Sequence, residues 1–228
     1  MKCLMVAGGT IDIDQLKEVY NSNPDLYVIG VDRGGLVLCK NEIKTNKLIG
    51  DYDSLSAEEK KVVFDFVKKS ADSIQDAIQD SLIEELIPEK DDTDSEHAFR
   101  FALTLKPDEI IMMGCTGTRM DHTYACIRML KLAADAGINA YMLDRTNRIR
   151  VIKNGITLNK EEQFGKYISV FPYGESVCVS LKGFKYEVED VVLTSDISRG
   201  VSNEFAGAEG IISIKDENDY LIVMETCD

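Results

Sequence analysis

Through roughly the first 144 residues, short apolar runs alternate with amphipathic stretches of helical period. Beyond that point the chain carries only short, evenly spaced alternating runs. Cys3 to Ala7 has the pattern of a buried strand that breaks at Gly8-Gly9-Thr10. Asp12, with Gln15 three positions on, marks a helix start, and the helix is predicted to run to about Tyr20, ahead of Asn23-Pro24. Leu26 to Val31 is a second strand that ends in Asp32-Arg33-Gly34-Gly35, and Leu36 to Cys39 continues as a short helix or turn. Lys47 to Ile49 is a third strand, which delivers Gly50-Asp51-Tyr52-Asp53-Ser54. Ser56 and Glu59 form a capping box for a helix to about Lys69, with Val62, Val63, Phe66 and Val67 on its apolar face. Residues 71–90 admit two readings: Ile74, Ile78 and Leu82 fit a helix, whereas Leu82 to Ile87 fits a strand. Thr93 and Glu96 form another capping box, which puts Asp94 in the first turn of a helix whose buried stripe is Ala98, Phe101, Ala102 and Leu105. Glu109 to Met113 is a strand, Gly114 to His122 a loop, and a helix is predicted from about His122 to Ala136, with Cys126, Ile127, Leu130, Ala133 and Ala134 facing inward. Ala140 to Leu143 is one more strand.

Strands that alternate with helices build a parallel sheet, so residues 1–144 are expected to form an α/β domain. Ligands collect beyond the C-terminal strand ends of such sheets. Asp32, Asp51, Asp53 and the loop from Gly114 to His122 fall there. Residues 145–228 hold the runs Ile149 to Ile152, Tyr167 to Phe171, Val177 to Leu181, Val188 to Leu193, Gly210 to Ile214 and Tyr220 to Met224, separated by turn signals. They are expected to form an all-β domain, a sandwich or barrel.

Composition narrows the partners. A net charge of −14 argues against a nucleic-acid partner held by its phosphates and against an anionic membrane surface. An anionic nucleotide would need a local cluster of metal and Arg or Lys. Six cysteines without a Cys-x-x-Cys do not read as a disulfide framework, and most of them read as small core residues. Met1 to Val6 turns polar too early for a signal peptide, and no apolar run is long enough to span a membrane. The expected compartment is the cytoplasm.

The chemistry centres on Gly50 to Ser54. In an extended backbone a spacing of two points Asp51 and Asp53 to one side, where Mg²⁺ would neutralise them against substrate phosphates. The alternative is a solvated turn. Asp91 and Asp92 read as acidic complements to a helix start. Asp94 would add a third carboxylate at the strand-end crevice. An EF-hand is excluded, because its sixth and twelfth positions would hold Ser56 and Val62. Neither a dinucleotide fingerprint nor a P-loop occurs. His97 lies within a helix and reads as structural. Arg119, in a Gly-rich loop at a helix start, suits a phosphate clamp, while Asp121 suits either a helix cap or that same site.

Taken in order, Asp32-Arg33-Gly34, Gly50-Asp51-Tyr52-Asp53-Ser54, Lys90-Asp91-Asp92-Thr93-Asp94, Gly117-Thr118-Arg119-Met120-Asp121-His122 and Ser198 to Glu204 resemble the motifs of the bacterial thiamine pyrophosphokinases. Tyr52 stands where that family usually has Phe, and Thr118 where it usually has Gly. The resemblance implies transfer of a pyrophosphoryl group from ATP to thiamine, giving thiamine diphosphate and AMP. It also implies Mg²⁺ and a homodimer with shared active sites, the α/β domain binding ATP and Mg²⁺ and the β domain binding thiamine and dimerising. Asp51, Asp53 and Asp94 would hold the metal, with Arg119 and Lys90 on the phosphates and Asp32 on the substrate hydroxyl or a second cation. Gly34, Thr93, Gly117, Thr118, Asp121 and His122 would shape the nucleotide site, and Ser202 and Asn203 would hydrogen-bond the thiamine pyrimidine.

Two other readings stay open. An Asp-x-Asp phosphohydrolase of the haloacid dehalogenase type would carry its nucleophile after the first strand, whereas Asp51 follows the third; phosphate release without thiamine would favour it. A non-catalytic thiamine- or nucleotide-binding module would bind without turnover.

Overall fold

The strands of the N-terminal half are continuous apolar runs, the pattern of a parallel sheet covered on both faces. In the structure, a computed structural model that describes residues 1–70, 82–86 and 92–228, they are β1 (Lys2–Val6), β2 (Leu26–Val31), β3 (Lys47–Gly50), β4 (Ile83–Glu85) and β5 (Glu109–Met113). They lie in the order β4-β3-β2-β1-β5 with every pairing parallel. Helices α1 (Ile13–Asn21), α2 (Arg33–Lys40), α3 (Ala57–Ser70), α4 (Asp94–Thr104) and α5 (Met120–Asp135) separate them. Central β1 is sealed, with Cys3, Leu4, Met5 and Val6 all at 0% exposure, and burial pushes the Cys3 thiol up to about 12. All six cysteines are free thiols.

The chain divides into two compact units, Met1–Met129 and Leu130–Asp228. The second contains β6 (Asn139–Leu143), β7 (Asn147–Lys153), β8 (Ile156–Asn159), β9 (Tyr167–Pro172), β10 (Ser176–Lys182), β11 (Val188–Thr194), β12 (Glu209–Ile214) and β13 (Tyr220–Thr226). Within it, β6-β7-β13-β9 and β11-β10-β12-β8 are two antiparallel arrays. Ile152, Val170, Leu221 and Val223 from the first and Leu158, Val179, Leu193 and Ile212 from the second share one core. The arrays thus pack as a sandwich. Among the described residues, no helix is long and apolar enough to cross a membrane.

Local patterning met its limits at a few points. Val62 is 51% exposed instead of lying on the apolar face of α3. The buried positions there are Val63 and Val67, one turn apart, and Val62 is rotated off their stripe. On α4 the stripe is Ala98, Phe99 and Ala102, while Phe101 is half-buried against Tyr27. The strand Ile156–Asn159 was not foreseen, because it is too short for its alternation to register. α2 starts at Arg33 despite its two glycines, since a Cβ on Gly34 would lie 1.9 Å from the Val6 carbonyl oxygen. Of the stretch Leu82 to Ile87, Ile83–Glu85 is a strand, Leu82 is helical and Ile87 lies outside the described residues. Ile74 and Ile78 lie outside the described residues.

Candidate active site

Two parallel neighbours, β2 and β3, end side by side and turn sharply. Asp32 follows β2 with φ +46°, its N–H donating to the Ile49 carbonyl at 3.1 Å. Its carboxylate lies over Gly50, where a Cβ would come within 2.0 Å of Asp32 Oδ1, so only glycine fits. Tyr52 then adopts φ +55° and drives its ring into the core among Leu36, Leu48, Leu55, Val63 and Val67, edge-on to Phe64 at 5.4 Å. A left-handed conformation is costly for an aromatic residue, and burial of the ring offsets that cost. The Tyr52 N–H donates to Asp32 Oδ1 at 3.4 Å.

This turn alters the expected pairing of carboxylates. With Tyr52 left-handed the segment is not extended, and the spacing of two does not set Asp51 beside Asp53. Asp51 is half-buried, whereas Asp53 is exposed and donates its N–H to Asp51 Oδ1 at 3.0 Å. The third carboxylate comes from the first turn of α4. Thr93 caps that helix, its hydroxyl accepting the Glu96 N–H at 3.2 Å. One carboxylate oxygen from each of Asp32, Asp51 and Asp94 lies within 4.8 Å of the other two. Asp53 lies outside the group. Three hard, half-buried oxygen donors at that spacing fit a single small divalent cation such as Mg²⁺.

Cationic side chains border the corner. Arg33 donates from Nη1 to the Ser54 carbonyl at 2.8 Å, and Lys60 Nζ donates to the Asp51 carbonyl at 3.3 Å. Arg33 belonged to a motif without an assigned role, and nothing in the sequence pattern marked Lys60. Also at the C-terminal edge of this sheet, the loops after β1 and β5 are laced together. Gly9 N–H donates to Gly114 O at 2.8 Å and Thr10 N–H to Thr116 O at 2.7 Å. Gly117, Thr118, Arg119, Asp121 and His122 are exposed on the second of these loops and the start of α5. Arg119 meets Asp121 with both forks, Nε at 3.2 Å and Nη2 at 2.6 Å. The guanidinium holds the Asp121 carboxyl down at about 2, and Asp121 in turn raises Arg119. The pair is about two-thirds exposed on both sides, so it orients Arg119 at little energetic cost and leaves the guanidinium accessible. Gly34 serves the packing of α2 on β1, and Lys90 lies outside the described residues.

In the second unit, Ser202 and Asn203 behave differently from each other. Asn203 is buried, and its side chain clasps the Tyr186 backbone: Nδ2 donates to Tyr186 O at 2.9 Å and Oδ1 accepts the Tyr186 and Glu204 N–H groups, each at 3.0 Å. Ser202 is exposed at φ +59°, its N–H on Ser169 Oγ at 3.0 Å. Tyr186 itself is 59% exposed, with Lys185 Nζ 5.6 Å from its ring centroid, a feature that its neighbours in sequence do not signal.

Residues 20–142 match the family model for the thiamin pyrophosphokinase catalytic domain, and residues 153–221 match that for the thiamin pyrophosphokinase vitamin B1 binding domain. The chain belongs to the thiamine pyrophosphokinase family. It is therefore an enzyme of the diphosphokinase type, a transferase of thiamine diphosphate biosynthesis. It is 29% identical over 210 residues to the thiamine pyrophosphokinase of Bacillus subtilis (strain 168), covering 92% of each chain. The crystal structure of thiamine pyrophosphokinase from Bacillus subtilis superimposes with a TM-score of 0.83 at 27% identity, covering all of both chains. That of thiamin pyrophosphokinase from Geobacillus thermodenitrificans superimposes at 0.78 and 29% identity, covering 100% of this chain and 98% of the other. The α/β-plus-β-sandwich plan expected from the sequence is the plan of these relatives.

Proposed function

We propose that this chain transfers the pyrophosphoryl group of ATP to the hydroxyl of thiamine. The thiamine hydroxyl loses its proton to solvent as its oxygen attacks the β-phosphorus, the bond from that phosphorus to the oxygen bridging to the α-phosphate breaks, and AMP leaves as thiamine diphosphate forms. The observation that carries this reading is the convergence of Asp32, Asp51 and Asp94 at the strand ends of a chain of this family. Those three residues would hold Mg²⁺, which when bound neutralises phosphate charge and orients the phosphates for displacement. Asp32 would thus join Asp51 and Asp94 as a ligand, and Asp53, exposed, lies outside that group. Arg119, presented by Asp121, binds the phosphates as charge moves onto AMP, and Arg33 and Lys60 offset the acidic corner. Loop residues Gly117, Thr118 and His122 line the approach for the nucleotide.

On the thiamine side, Ser202 Oγ and the Tyr186 ring are the accessible groups, and Asn203 acts by holding Tyr186. A flat cationic substrate suits an aromatic ring on an acidic protein, in the place that the Lys185 ammonium holds 5.6 Å from the Tyr186 ring centroid. We place the boundary between the catalytic and thiamine-side domains at residues 144 and 145. The gap between the two family matches, 142 to 153, supports that choice, whereas the compact units divide earlier, between Met129 and Leu130. A cytoplasmic homodimer with shared sites completes the reading, and exposed Val192, Ile197, Val201 and Ile211 offer apolar surface for a second copy. Incubation with ATP, Mg²⁺ and thiamine, followed by separation of the nucleotides, tests it. AMP that appears only with thiamine, in equal amount to thiamine diphosphate, is expected. ADP with thiamine monophosphate would refute it. Phosphate release without thiamine would favour a phosphohydrolase, and thiamine binding without turnover a binding module.

A further inference from the structure

Asp51 and Asp94 arrive at the acidic corner on different elements, β3 and α4, and three like charges brought together repel until a cation is bound. Something must hold those elements in place beforehand. Between them in sequence comes β4, a three-residue edge strand that pairs with β3, Glu84 opposite Ile49, while α4 also packs directly on β3. Glu84 ties both neighbours with one carboxylate. Its Oε2 lies 2.9 Å from Lys47 Nζ at the start of β3, and its Oε1 lies 2.8 Å from His97 Nε2, one turn along α4 from Asp94. The Lys47 side chain is only 11% exposed and its ammonium also lies 5.2 Å from the Phe101 ring centroid, again on α4. His97 Nδ1 faces Asp92 Oδ2 at 3.6 Å, just ahead of the Thr93 cap. Burial works to raise the Glu84 carboxyl, but the Lys47 and His97 bonds prevail and lower it, so the carboxylate is a settled acceptor.

We propose that Lys47, Glu84 and His97 are positioning residues that fix the spacing of Asp51 and Asp94 and thereby set the affinity for the divalent cation. The inference rests on the metal reading above. The outer partners of metal ligands tune affinity by orienting the ligands, and here the orientation is carried by whole elements.

The test is Mn²⁺ binding to the intact, nucleotide-free and thiamine-free protein, followed by electron paramagnetic resonance. It is paired with the Mg²⁺ dependence of turnover. His97→Leu removes the donor and is expected to weaken Mn²⁺ about tenfold. The half-saturating Mg²⁺ rises by the same factor, while kcat at saturating Mg²⁺ stays within about twofold. His97→Gln, which can still donate to Glu84, recovers most of the affinity. Glu84→Gln, which preserves volume, follows His97→Leu and carries the test alone if that variant does not fold. Wild-type Mn²⁺ affinity in the variants would overturn the inference, as would a kcat loss that saturating metal does not relieve, or a His97→Gln variant no better than His97→Leu. Absence of Mn²⁺ binding in the unaltered protein, with Asp51→Asn as control, would instead remove the metal reading and this inference with it.

Discussion

Glu225 and Asp51 are both carboxylates set at strand ends, and their surroundings are opposite. Glu225 on β13 is 1% exposed and is met by Arg148 through Nε at 2.8 Å and Nη2 at 2.6 Å, and by Arg150 Nη2 at 3.1 Å. Arg148 sits directly across from it on β7, and Arg150 lies two residues along on the same face. The charge is matched within ordinary sheet geometry. Asp51 instead converges with Asp32 and Asp94, next to two residues in left-handed backbone. Charge that is matched in a regular ladder serves the fold. Charge of one sign gathered on strained turns is held by the fold for something else.

The contrast can be broken at either end. Glu225→Gln leaves the buried Arg150 and the half-buried Arg148 guanidinium groups without their carboxylate and is expected to destabilise by about 3 kcal/mol, read by denaturant unfolding. Loss of activity should merely follow loss of fold. Asp51→Asn is expected to do the reverse. It lowers kcat by about 10²–10³-fold, while metal-free protein melts at the same or a higher temperature because repulsion is relieved. A fall in melting temperature would place Asp51 with Glu225 among the structural charges. Arg119→Lys keeps the charge but loses the fork, and should cost about tenfold in kcat/KM for ATP with no change in stability.

The Arg119–Asp121 pair sharpens the comparison through pH. Asp121 titrates at about 2, below the usual carboxylate value of about 3.9. A depressed folded value means that the pairing is fully present above the unfolded value and is lost as pH falls through about 2. It therefore contributes no slope to activity near neutrality, and an NMR titration of Asp121 checks the value. The smallest effect belongs to Tyr52. Its hydroxyl is fully buried and has no hydrogen-bond partner among the described residues. Tyr52→Phe should leave the turn in place and stabilise the protein by up to about 1 kcal/mol, a rise of a few degrees in Tm.

What was legible in the chain was what is local or one-dimensional. Leu26 to Val31 and Ile110 to Met113 are unbroken apolar runs, and the strands Leu26–Val31 and Glu109–Met113 follow them. The capping pairs Asp12–Gln15, Ser56–Glu59 and Thr93–Glu96 form the hydrogen bonds their spacing predicts. Harder to foresee was whatever depends on two elements meeting. Asp32 reaches Asp51 because β2 and β3 are parallel neighbours and because Gly50 has no side chain to obstruct it. Asn203 is spent on Tyr186, seventeen positions away, which no periodicity could reveal. Tyr52 itself misled: a pair of carboxylates two apart implies one side only if the residue between them is extended.

The most direct test of the acidic corner is a crystal structure with Mn²⁺ and a non-hydrolysable ATP analogue, with the metal located by anomalous scattering. A peak bound by Asp32, Asp51 and Asp94 together, on the phosphate side, is the expected result. A peak held by Asp51 and Asp53, with Asp32 turned away, would contradict it.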